Sequence, residues 1–149
     1  MIELNEDDYQ LLDAFPLKWR WNLLPPDVLA NIRPLAKAKA LEIYEKTSKF
    51  YPNEGFMQGS FKLIDKTEVE DKDVQQIRDW LVTNILKLEE PIIASWFPQD
   101  AVVTTAANFC DYWDDFCYPS SDDVRILFVS GEWILFYSQE EAFFFGQQT

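Results

Sequence analysis

Apolar and polar positions along this chain follow two rhythms. The first is a spacing of three to four. Val74, Ile77, Trp80 or Leu81, and Ile85 recur on one face, just after the polar run Glu70-Asp71-Lys72-Asp73, and predict an amphipathic helix. Thr105 to Cys117 does the same with larger side chains. At 100° per residue, Phe109, Cys110, Tyr112, Trp113, Phe116 and Cys117 fall within an arc of about 160°, with Asp111, Asp114 and Asp115 opposite. One continuous helix is expected there, with its rings buried and its three aspartates in water.

The second rhythm is short and strand-like. Ile92–Phe97 and Ala101–Thr104 are β-prone runs separated at Pro98. Val124–Val129 and Glu132–Tyr137 flank Ser130-Gly131, a hairpin signal in which Gly131 supplies positive φ. Both faces of these two strands are apolar, so they are expected to lie centrally in a sheet covered on both sides. Ala142–Phe145 reads as a final strand, ended by Gly146.

The first third is less regular. Asn5 with Glu6, Asp7 and Asp8 reads as a helix start, followed by the stripe Tyr9, Leu11, Leu12 and stopped by Pro16. Lys18-Trp19-Arg20-Trp21 alternates cation and ring. It reads as a short strand, or as a surface segment with both tryptophans turned inward. Pro25-Pro26-Asp27 opens a second helical region, with a break expected near Arg33 because Pro34 follows. Leu35, Ala38, Leu41 or Glu42, and Tyr44 or Glu45 then keep helical spacing, and Lys37, Lys39, Lys46 and Lys49 form a basic cluster on the same helix. Tyr51–Gly55 reads as a loop. Helices followed by consecutive strands imply an α+β fold in which N-terminal helices pack on a mainly antiparallel sheet with a C-terminal strand meander. The length of 149 residues fits one domain.

Composition narrows the chemistry. The chain has no His, which removes Ser-His-Asp triads and His-ligated zinc. No glycine-rich phosphate loop occurs among four glycines, and no cofactor motif is present. Cys110 and Cys117 are seven apart on one expected helix, too far for a disulfide, and read as buried free thiols. Met1–Asp8 is acidic and lacks the apolar stretch of a signal peptide, so a cytoplasmic protein is expected.

Charge supplies the functional clue. The net charge is −13, and it is unevenly spread. Residues 1–87 carry 15 acids against 12 bases, whereas residues 88–149 carry 11 acids against Arg125 alone. Such a surface disfavours nucleic acid and anionic membranes and favours a basic partner. Five carboxylates cluster at Asp111, Asp114, Asp115, Asp122 and Asp123, and Tyr118 and Trp133 are the aromatics expected near their rim. These seven residues form the expected partner-binding surface, although Asp122 and Asp123 also suit plain turn-forming roles. An alternative use of the same aspartates is an oxygen-ligand cation site in a metal-assisted hydrolase, but their spacing is not that of an EF-hand loop. A third reading makes the aromatic meander a homodimer interface.

The run from Trp113 to Gly146 (WDDFCYPSSDDV, then EWILFYSQEEAFFFG) resembles the C-terminal part of small acidic bacterial proteins of the toxin-immunity or uncharacterised-domain kind. It covers about a quarter of the chain. The resemblance implies a cytosolic, non-catalytic binder that blocks a toxin's active surface, and it assigns no role to any individual residue.

Overall fold

The computed structural model describes residues 2–48, 50, 52–53, 56–57 and 61–148. Within them, α1 (Pro26–Leu29), β1 (Arg33–Pro34) and α2 (Lys37–Thr47) lead to β2 (Pro52–Asn53), β3 (Phe56–Met57) and β4 (Phe61–Glu68). After α3 (Val74–Ile85) come β5 (Pro91–Phe97) and β6 (Asp100–Thr105), then α4 (Ala106–Asp111) and α5 (Trp113–Phe116). The chain closes with β7 (Val124–Phe128), β8 (Trp133–Ser138) and β9 (Ala142–Gln148). The fold is α+β: a seven-stranded antiparallel sheet in the order β1-β6-β5-β7-β8-β9-β4, with the expected meander at its C-terminal end. No helix among the described residues is long and apolar enough to cross a membrane.

The sheet is covered on both faces, as the apolar strands require. Successive side chains point to opposite sides. Ile92, Ala94 and Trp96 therefore join one core with Leu135, Tyr137 and Phe143. That core is closed by Ile77 and Leu81 of α3, by Phe109, Trp113 and Phe116 of α4 and α5, and by Phe15 and Trp21. Ile93, Val103, Leu127 and Phe136 face the other way, onto Ala40 and Ile43 of α2. Each large side chain so buried contributes roughly 1.5–3 kcal/mol.

Helix α3 begins as its sequence predicts. Asp73 accepts the Gln76 backbone N–H at 2.8 Å, and the Gln76 side chain accepts the Asp73 N–H at 2.9 Å. Gly131 turns the β7–β8 hairpin at φ 81°.

Six readings change. The helix expected from Asn5 is two 3-10 turns, Glu6–Asp8 and Leu12–Ala14. Between them Tyr9 bridges Leu35 and the Gln10 N–H donates to the Pro34 carbonyl, so tertiary pairing takes the backbone groups a helix would use. Lys18–Trp21 is a 3-10 turn, not a strand. At three residues per turn, Trp19 and Trp21 point about 120° apart. Trp21 is fully buried and Trp19 is 54% exposed. The helix expected over 105–117 is interrupted at Tyr112 (φ −126°, ψ 30°). The buried face of α2 is Ala40, Ile43 and Thr47, with Ala38 and Leu41 outward, because Leu35 lies before the helix and cannot set its phase. Pro52–Asn53, expected in a loop, pairs with Phe56–Met57; Tyr51, Glu54 and Gly55 lie outside the described residues, as does Lys49. Strand β9 runs through Gly146, which pairs with Ile134 and Leu63.

Candidate functional site

The segment from Asp111 to Asp123 is built from two short helices and a turn. The Thr105 hydroxyl caps α4 by accepting the Asn108 N–H at 3.0 Å. The break at Tyr112 leaves most of the division of faces in place, but Tyr112, expected inside, and Asp115, expected in water, are both half-buried. Cys110, Trp113, Phe116 and Cys117 stay buried, and Asp111 and Asp114 stay exposed. The Trp113 indole donates to the Val74 carbonyl at 3.1 Å, which ties α5 to the head of α3.

The turn that follows is organised by one buried carboxylate. Asp122 is 2% exposed. It accepts the Tyr118 N–H at 2.8 Å and, bidentately, the guanidinium of Arg20 at 2.6 and 3.1 Å. Arg20 also donates to the Phe116 carbonyl at 3.3 Å, which accepts the Trp96 indole N–H at 2.8 Å. The planar fork of an arginine suits this arrangement, because two N–H groups meet two carboxylate oxygens. The Tyr118 ring covers the guanidinium at 4.3 Å and meets Trp19 at 5.6 Å between ring centres.

Of the seven residues expected to form a binding surface, two are interior. Asp122 is consumed by Arg20. Trp133, 4% exposed, packs on Phe128 and Phe145. Its place is decided by the sheet: it opens β8 on the face where α3 lies, so no rim role remains for it. Asp111 is at the surface but is paired with Arg78 of α3 at 2.6 Å. Asp123 is exposed and accepts the Gln139 N–H at 2.9 Å. Asp114 and Asp115 have no cation within ion-pair distance among the described residues. Burial, and then the neighbouring Asp114, push the Asp115 carboxyl above its ordinary value.

No protein-family model, no curated protein and no solved structure matches this chain. The site is therefore read from its own chemistry. Trp19 and Arg20 belong to it and were missed as site residues. The only available signal was their basic-aromatic spacing, and nothing local says that a residue near position 20 lies against one near 120.

The same geometry bears on the alternatives. Among the described residues, no three carboxylate or thiol side chains are placed to hold a metal ion together. Both thiols are free and buried. Burial pushes Cys110 up to about 12, with Asp111 adding to it, and Cys117 also lies well above its ordinary value. A nucleophile needs the thiolate, so neither is poised to act as one. The rings of the meander are largely spent inside the chain: Phe136, Tyr137, Phe143 and Phe145 are all buried.

Proposed function

We propose that this chain is a non-catalytic binding protein of the immunity or inhibitor kind. Its acidic surface at Asp114, Asp115, Asp123 and Tyr118 docks a basic protein such as a toxin. One observation carries the reading. The lysine-bearing helix α2 covers the opposite face of the sheet from α4 and α5, and Lys39 and Lys46 pair at 2.8 and 3.8 Å with Glu42 of their own helix. The carboxylates of α5 are therefore not paired by that helix and are left for an external cation. Complementary charge of this kind speeds encounter and selects the partner, while aromatic contacts slow release. A cytoplasmic setting goes with this reading, and two free thiols suit a reducing compartment.

The test begins with capture from a lysate of the source cell at low salt and is completed with the captured protein purified. The expected partner is basic, and its affinity falls steeply as salt rises. The triple change Asp114→Asn, Asp115→Asn and Asp123→Asn weakens binding tenfold or more, taking about half a kcal/mol or more per desolvated charge. Failure to capture any basic protein, or an affinity indifferent to salt and to these changes, overturns the proposal.

A further inference from the structure

The geometry points to the Trp19–Tyr118 ring pair as the receptor for an arginine side chain of that basic partner, an inference that rests on the function proposed above. Trp19 leaves more than half its surface in water, whereas Trp21, Trp96, Trp113 and Trp133 are all buried. Its ring is not loose. It leans on Tyr118 at 56°, and both rings lie against the Arg20 guanidinium, 5.5 Å from Trp19 and 4.3 Å from Tyr118. Asp122 and the Phe116 carbonyl hold that guanidinium from below. The outer aromatic surface is thus set before any partner arrives, which lowers the ordering cost of binding.

Charge decides what occupies it. Asp122 neutralises Arg20 at contact distance, so the buried cation does not repel a second one. Asp114 and Asp115 both act electrostatically on Tyr118 and lack a cation among the described residues. The local balance of these four groups is two negative charges around Tyr118, the ring on which the exposed Trp19 indole leans. A guanidinium satisfies both features together: its flat face stacks on the ring while its N–H edge reaches a carboxylate. An ammonium group is a strongly hydrated point charge and gains only the charge term.

The test uses the full chain, labelled with nitrogen-15 and titrated at low salt with a nine-residue arginine peptide and a nine-residue lysine peptide. The expected result is that the Trp19 indole N–H and the amides of Asp114, Asp115 and Tyr118 shift together. The arginine peptide binds about fivefold more tightly than the lysine peptide. Trp19→Leu removes that preference, and Trp19→Phe retains most of it. An equal affinity for the two peptides, a preference untouched by Trp19→Leu, or shifts centred instead on the cleft of Glu68, Glu70, Glu140 and Glu141 overturns the arginine receptor while leaving an acidic docking protein standing. Absence of binding by either peptide overturns both.

Discussion

Arg20 and Asp122 lie 102 positions apart, and each is nearly invisible to water. Burying two charges is costly, and their pairing repays the cost only when the geometry is good and the remaining donors are met. Here two contacts at 2.6 and 3.1 Å, the Phe116 carbonyl and the Tyr118 N–H meet most of that need. Asp122→Asn is therefore expected to leave a buried guanidinium without its counter-charge and to lower stability by about 3–5 kcal/mol, measured by urea unfolding. A loss below about 1 kcal/mol would mean that water reaches the pair. From the sequence, Asp122 reads as a turn former, and through the Tyr118 N–H it does serve the turn. Its partner was not legible, because ion pairing across the fold leaves no periodic trace. The same limit reversed two tryptophans: Trp133 was expected at a rim and is interior, while Trp19 was expected inward in one reading and is outward.

Among the elements, helix α3 and the β7–β8 hairpin were read correctly, whereas the periodic helix over 105–117 is split at Tyr112 and α2 buries a different face from the one expected. Helix α3 starts at its Asp73 cap and ends at Ile85, the last position of its apolar face. The β7–β8 hairpin turns at Ser130-Gly131, with φ 81° at the glycine. An alanine there must hold a left-handed conformation against its own Cβ. Gly131→Ala is expected to cost about 1–2 kcal/mol in thermal or urea unfolding. Any smaller penalty would imply that the hairpin relaxes into another turn type. Two of the shortest elements were misread, although the four-residue α1 opens at Pro26 as Pro25-Pro26-Asp27 implies. Lys18–Trp21 and the turns around Asn5 carry too few positions for a period to show, and tertiary hydrogen bonds to Pro34 and Leu35 set their shape. Tyr112 divides the aromatic helix, yet Phe109, Cys110, Trp113 and Phe116 stay buried, so most of the pattern of exposure survived an error in the element itself, with Tyr112 and Asp115 half-buried.

Across the molecule, acid outnumbers base by 13 charges and the excess gathers in the last 62 residues. The described ion pairs are mostly exposed, at distances of 2.6 to 3.8 Å, and exposed pairs contribute little. Self-repulsion should therefore dominate the long-range electrostatics. The midpoint of thermal unfolding at pH 7 is expected to rise as sodium chloride goes from about 10 mM to about 300 mM, where the screening length shrinks from about 30 Å to less than 10 Å. A flat or falling midpoint would show that attractive pairs outweigh the excess. The order of residues alone was enough for the α+β class, the covered meander, helix α3 and the acidic bias, because periodicity, turn chemistry and charge count depend on near neighbours. Folding decided which carboxylates remain available. That outcome depends on which strands lie side by side, on the face taken by α2, and on a turn near residue 20 reaching the turn near residue 120, and these are facts of distance in space.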